Sequence, residues 1–458
     1  LAWTYLQSRQ SELALDAARR AHEANRANLD YLNTLGVAYG EVGELERAES
    51  SFRKALKRKP VFLDALINLA KTLEKQERFA ESVPLYERAL ALDEAHPKLA
   101  VNLARLYRLR GDAARSRQLL ERLAQHVDAQ DLAMALAECD CELGSASAAI
   151  ERLTRSVEQH PEWLLAQNAL AHALLAQGKW RSGWRHWRTP VPLPERLDGE
   201  QILLRGDQGL GDVLFFLRFA PALRARGARL SLLCERKLHG VIATGVLDAV
   251  MAEEDGNFDR RLWLSELPAQ LGCDDTPVAW PLAPGVDGRA RLAALGGGPY
   301  LGVTWRAGTD TARGREFGLE RASLSKAIPP ADLGAALRGW RGTVVLLQRG
   351  ARAGEMAQFA AGLAAPCHDL SALGDDLPAL LGVLAALDDY VSVSNTNIHL
   401  LAGLGCTARV LVPYPAEWRW MRRDGRSPWF PQFPVYRQTQ SRDWSAPLRQ
   451  LRADLPHV

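Results

Sequence analysis

The sequence has no run of 18 apolar residues, no CxxC pair, no DxD and almost no net charge. Each absence closes off a class of function. Without a long apolar run, neither a transmembrane helix nor membrane insertion is expected. Six cysteines in 458 residues do not make a disulfide scaffold. Only Cys139 and Cys141 lie close, and residues two apart on a helix point to different faces. Neither a zinc ribbon nor thioredoxin chemistry is signalled, and a reducing cytoplasm is the compartment expected. The balance of 57 Lys+Arg against 54 Asp+Glu leaves +3, so a basic face for nucleic acid is not expected. What is present, 47% hydrophobic and 24% charged residues, is the composition of a folded globular protein. At about 150 residues per domain, the length implies roughly three units. The chain begins at Leu1 rather than Met, which leaves open what precedes it, including a removed targeting segment.

The first third is periodic. Small residues recur at Ala2, Gly36, Ala70, Ala104, Ala137 and Ala171, at intervals of 34, 34, 34, 33 and 34. Large apolar residues keep the same period at Phe52, Tyr86, Leu120, Leu153 and Trp187. Ala21, Ala55 and Ala89 make a third track. In the clearest unit, Leu29 to Phe62, Gly36 and Tyr39 fall on a first helix and Gly43 on a turn. Ala48, Phe52 and Ala55 fall on a second helix that Pro60 stops. One helix pair cannot bury its own apolar face, so pairs must stack. The pattern resembles the tetratricopeptide repeat over residues 1–188, with a truncated first unit and a degenerate last one. The signature positions are scaffold. Candidate contacts for a protein partner are the variable first-helix positions Asn33, Tyr39, Asn68, Lys71, Asn102 and Arg105. Asn33, Asn68 and Asn102 recur at near-repeat spacing, as a ladder that hydrogen-bonds an extended peptide or as a solvated groove.

Residues 189–200 are Pro-rich and polar and read as a linker. Beyond them strands and helices alternate: strands at Gln201, Arg229, Tyr300, Thr343, Tyr390 and Arg409, helices from about Asp212, Leu377 and Asn397. Alternation of this kind predicts parallel sheets with right-handed crossovers. The Gly-Pro break at Gly296 to Pro299 divides it into two Rossmann-like halves, residues 201–297 and 298–458, around a cleft at the strand carboxyl ends.

Three motifs point at that cleft. GDQGLGDVL, from Gly206, is neither GxGxxG nor a P-loop, yet it brings glycine backbone and a helix N-terminus together. Its Asp212 reads as an N-cap, worth about 1 kcal/mol, or as a proton acceptor; the residues alone favour the cap. VSVSNTNIHLLAGLG, from Val391, sets Ser394, Asn395 and Thr396 at a helix entry that suits a diphosphate, with His399 in the first turn. A lone His there is more often packed than catalytic. Arg306, Gln348 and Arg349 end strands, and Lys326 precedes the segment AIPPADL. They read either as surface residues or as a basic cleft wall.

The loop GLGDVLFFLRFAPALRARGA, the VSVSNTNIHLLAGLG segment and the tail EWRWMRRDGRSPWFPQFPVYRQ, in this order after repeats, resemble a family of bacterial proteins. These join tetratricopeptide repeats to a GT-B glycosyltransferase module related to heptosyltransferases and to flagellin and other protein O-glycosyltransferases. The resemblance implies inverting, metal-independent transfer from a nucleotide-sugar co-substrate to a Ser or Thr hydroxyl of a protein acceptor, with no further cofactor. It puts the general base on Asp212 and the phosphate-binding lysine on Lys326. It puts the donor segment on Ser394, Asn395 and His399, where Ser394 stands for the family's aspartate and Asn395 for its threonine. Two other readings stand beside it: a non-catalytic repeat scaffold with a decayed enzyme domain, and an enzyme acting on a saccharide. In the tail, Trp418, Trp420 and Trp429 read mainly as packing residues, with Arg419, Arg422 and Arg423 as candidates for donor phosphate.

Overall fold

A computed structural model describes residues 1–76, 78–96, 98–187, 191–206, 209–242, 245–283, 285, 287–307, 326–421 and 426–456. They form two compact units, Leu1–Ser156 and Val157–Val458.

The first unit is a stack of antiparallel helix pairs. First helices are Ala2–Gln7, Leu29–Glu41, Leu63–Lys75, Leu99–Leu109 and Ala129–Glu142. Second helices are Ser11–Ala24, Leu45–Arg58, Phe79–Leu92, Ala113–Arg122 and Ala146–Gln159. The periodic residues are the packing surface. Ala70, Ala104 and Ala137 are 0–2% exposed, as are the large partners Phe52, Tyr86, Leu120 and Leu153. Gly36 shows why the first track is small: a Cβ there would lie 2.6 Å from the Phe52 ring. Turns between the helices of a pair carry Gly43, Gly111 and Gly144 at φ of 84°, 82° and 78°. That left-handed region is open to glycine at little cost. Asn28, Asp112 and Asp128 cap helices by accepting backbone N–H bonds.

The second unit opens with one more helix pair, Leu164–Ala176 and Trp180–Trp187. Two sheets follow. Strands β1 (Gln201–Arg205), β2 (Arg229–Leu233), β3 (Ala249–Met251) and β4 (Arg260–Trp263) form a parallel sheet of order β3-β2-β1-β4. The second holds β5 (Tyr300–Thr304), β6 (Thr343–Leu346), β7 (Cys367–Asp369), β8 (Asp389–Val393), β9 (Arg409–Val412) and β10 (Val435–Arg437). Its order is β10-β9-β8-β5-β6-β7, all parallel. That is the doubly wound order, whose direction reverses between β5 and β8. Every residue of β5, β6 and β8 is buried, as both-sided helix cover requires.

Short strands β3, β7 and β10, of three residues each, had no alternation to betray them. The helix expected from Asp212 begins at Leu210 and is interrupted by a 3-10 turn at Leu217–Phe219, just ahead of Pro221. Tail rings Trp418, Trp420 and Trp429 are 1–3% exposed. Trp418 and Trp429 meet Trp184 at 5.3 and 6.1 Å, and Trp429 meets Trp180 at 4.8 Å. The tail thus packs the last helix pair against Phe215, which lies 5.3 Å from Trp418 and 5.1 Å from Trp429.

The close approach at Gly36 is directly testable. Gly36→Val drives a side chain into Phe52 and is expected to lower urea stability by about 1–3 kcal/mol. Gly40→Ala, on the same helix, meets Ala48 only at 3.9 Å and is expected to hold or gain stability, by up to about 1 kcal/mol. Equal losses in both variants would assign the effect to helix backbone rather than to packing.

Candidate functional site

In the second unit the site lies where strand ends from both sheets come together. After β1, Gly209 starts the Leu210–Phe216 helix with no side-chain cap, and Asp212 sits in its first turn. After β8, extended Asn395 starts the Thr396–Gly403 helix, again with no side-chain cap. The two helix entries touch: a Cβ on Gly211 would lie 3.1 Å from His399 Cδ2 and 3.6 Å from the Thr396 Cα. Beyond the end of β5, Arg306 bridges Ala327, and Ala307 donates to the Lys326 carbonyl at 3.0 Å. Lys326 is thereby anchored beside the switch point of the second sheet.

Charges here are paired by the tail. Arg419 Nη2 donates to Asp212 Oδ1 at 2.6 Å, and the Lys326 ammonium pairs with Glu417. The Arg419 guanidinium also lies 4.6 Å from the Phe215 ring centroid and 4.7 Å from that of Trp418. Asp212 and Arg419 retain 31% and 14% side-chain exposure, so the pair is open to solvent on the Asp212 side. His399 is buried against Phe215 and Phe430, at 6.0 and 5.5 Å between centroids. Burial, and then the charges of Arg419, Arg218 and Lys326, hold its pKa well below the usual imidazole value. It is neutral at pH 7, and its Nδ1 is buried without a partner among the described residues.

The other candidates divide. Ser394 is buried, and Asn395 donates to Ser392 Oγ at 2.8 Å while its own Oδ1 is buried and unpartnered. Thr396 opens the helix beside Gly211. Arg306 is held by the Gly350 carbonyl at 2.7 Å and by Glu355 at 3.3 Å. Gln348 is 1% exposed, and its amide accepts from Trp305 N and Arg306 N and donates to the Arg349 carbonyl. It therefore ties the ends of β5 and β6 together. Arg349 pairs with Asp375 at 3.3 Å. Arg422 and Arg423 lie outside the described residues. In the first unit, Asn68 donates to Asn33 at 3.2 Å, so those two amides bond each other, and Arg105 pairs with Glu74. Lys71 is exposed and Asn102 half-buried. Tyr39 sits apart from that ladder, its ring flanked by Arg19 and Arg47 at 5.4 and 5.7 Å.

Two residues escaped the sequence reading. Glu417 has no local signal, because its partner is 91 positions away. Arg218 did have one: it is the sole charge in the apolar run from Val213 to Ala220. It is 3% exposed, donates to the Phe215, Pro277 and Trp429 carbonyls at 2.9, 3.2 and 3.3 Å, and has no carboxylate partner among the described residues. Burial, then Arg419, pull its pKa down to about 9. Among the described residues, no group of three or more His, Cys, Asp or Glu converges as a metal site. No helix among them is long and apolar enough to cross a membrane. Chemically, the cluster brings a carboxylate, a lysine, a neutral imidazole and an uncapped helix N-terminus close together.

No curated protein matches the chain. Among solved structures, a tetratricopeptide-repeat protein from Parabacteroides merdae is 15% identical, covering 40% of this chain and 74% of its own, with a TM-score of 0.37. A thermophilic TPR protein of Thermus thermophilus is 21% identical over 38% of this chain and 96% of its own, at 0.32. YrrB, a TPR protein with an unusual peptide-binding site, is 17% identical over 38% and 89%, also at 0.32. Sequence models of the tetratricopeptide repeat match residues 34–97 and 73–139. The amino-terminal helical stack is a tetratricopeptide-repeat solenoid, an architecture whose common use is protein interaction.

Proposed function

We propose that the second unit is a GT-B glycosyltransferase, inverting and metal-independent, and that the repeats recruit its protein acceptor. The observation that carries this reading is the contact of two uncapped helix entries, one after β1 and one after β8, with Asp212 and Lys326 beside them. Helix N-termini and a lysine suit a donor diphosphate, and a carboxylate across the cleft suits an acceptor hydroxyl. Asp212 takes the hydroxyl proton as the oxygen attacks the anomeric carbon. Arg419 fixes Asp212 Oδ1 and leaves Oδ2 for that proton. The nucleoside diphosphate leaves with its charge held by Lys326 and the Thr396 helix entry. Neutral His399 lines the floor as an uncharged group. A Ser or Thr hydroxyl of a protein is the acceptor favoured by the repeats, since a small saccharide needs no solenoid.

A second reading is a repeat scaffold whose α/β unit no longer turns over. It is favoured by Ser394 in place of an acid and by the pairing of both Asp212 and Lys326 with tail residues.

The deciding experiment is release of nucleoside diphosphate from a panel of nucleotide sugars by the full chain. Asp212→Asn is expected to reduce turnover about 10²-fold or more with an unchanged melting temperature. Near-normal turnover in Asp212→Asn removes the aspartate as base. It is not a helix cap, since Gly209 holds that position, and would be left only as the partner of Arg419. No release from any donor favours the scaffold. Turnover is also expected to persist in excess EDTA. Lys326→Ala should weaken donor binding by calorimetry, whereas Glu417→Gln, which frees the lysine, should tighten it. Loss in EDTA that magnesium restores, or unaltered affinity in Lys326→Ala, removes this account of the diphosphate. His399 gives a stability signature of known sign. Its pKa is depressed in the fold, so below about 6.5 the unfolded chain binds the proton more readily. Urea stability should therefore be full above that pH and fall on acidification, by up to about 1.4 kcal/mol per pH unit. His399→Asn should flatten that portion of the profile.

A further inference from the structure

A cleft of about 590 Å³ opens in the first unit between the second helices Ser11–Ala24 and Leu45–Arg58. The first helix between them in sequence, Leu29–Glu41, forms its floor through Leu32, Leu35 and Tyr39. His22, Arg26, Arg47, Lys54, Lys57 and Arg58 line its walls, and no Asp or Glu does. The Leu45–Arg58 helix alone carries five basic and two acidic residues, a surplus equal to the +3 of the entire chain. Arg47 pairs with Glu44 at 2.8 Å. Glu49, which with Glu46 lines a neighbouring pocket that shares Lys54 and Lys57, pairs with Arg53 and Arg78, both at 2.8 Å. Lys54, Lys57 and Arg26 have no ion-pair partner among the described residues, and the His22 Nδ1 is buried without a hydrogen bond. Unpaired cations on one concave wall focus a positive potential there.

The shape selects among anions. A 14-residue helix wall is about 21 Å long, the length of six or seven extended residues. A nucleic-acid strand needs free aromatic faces for its bases. The one ring on the floor, Tyr39, already has Arg19 and Arg47 over it. A membrane surface is flat and does not follow a cleft.

We propose that this cleft docks an extended acidic segment of a partner protein, its carboxylates opposite Arg26, Lys54 and Lys57 and an apolar side chain over Leu32 and Leu35. The site is separate from the Asn33–Asn68 ladder and does not depend on the enzymatic reading of the second unit.

The test uses the full chain and fluorescence anisotropy of a labelled ten-residue peptide of eight glutamates and two leucines. Saturable binding is expected, weakened at least about tenfold by Lys54→Glu with Lys57→Glu. The charge-matched pair Arg110→Glu with Arg122→Glu, exposed elsewhere on the solenoid, should change affinity less than about twofold. Circular dichroism checks that both double variants keep their helices. Absence of saturable binding, or equal weakening by the two pairs, overturns the proposal. So does a single-stranded oligonucleotide or an anionic vesicle that binds more tightly than the peptide with the same dependence on Lys54 and Lys57.

Discussion

The α/β unit depends on the burial of one aromatic cluster. Phe215 is its centre, with Phe216, Trp418, Trp429 and Phe430 within 5.1–6.4 Å between centroids. Such pairs add about 0.5–1.5 kcal/mol each beyond the area they remove from water. Because Phe215 lies on the helix after β1 and the tryptophans on the segment after β9, the cluster joins the two sheets through side chains more than 200 residues apart. Arg218 inserts a guanidinium among these rings, 4.3 Å from the Phe215 centroid, and donates to three backbone carbonyls, of which that of Trp429 ties it to the tail. Hydrogen bonds to carbonyls replace the water it loses, and the aromatic faces offset part of the missing counter-charge.

The geometry of the charged cluster follows from that packing. Once the tail rings are buried, Glu417 and Arg419 have little freedom, and each meets an opposite charge, on Lys326 and Asp212. The partly water-excluded surroundings strengthen both pairs relative to surface pairs, at a desolvation cost to each partner. The same exclusion of water, reinforced by three nearby cations, keeps His399 neutral. A ligand that brings its own negative charge to Lys326 competes with Glu417, so anion binding and tail position are coupled by simple electrostatics.

The solenoid solves a different problem. Each helix pair is too thin to bury its own apolar face, so pairs close onto one another through Ala, Gly and large apolar residues at fixed spacing. The surfaces left over are free to differ from pair to pair. One pair has used that freedom to collect lysines and arginines around a single cleft, with Glu49 drawn into ion pairs with Arg53 and Arg78.

The sequence by itself determined whatever repeats locally. The 34-residue period marked the helix pairs because each pair must present a small residue opposite a large one, as at Gly36 and Phe52. The 33- and 34-residue spacing of Gly111, Gly144 and Gly178 carried the turn positions too. Short, largely apolar runs such as Tyr300–Thr304 and Tyr390–Val393 marked central parallel strands, whereas three-residue strands offered too few residues for any pattern. Asp212 and His399 stood out as residue types at helix entries, and Lys326 ahead of the segment AIPPADL, but their environments did not. Whether Asp212 faces a cation, whether His399 is charged and whether Gln348 faces solvent or backbone are set by groups 20 to over 200 positions away. Only the tertiary structure decides these, because burial and pairing depend on which distant segments the aromatic tail draws together.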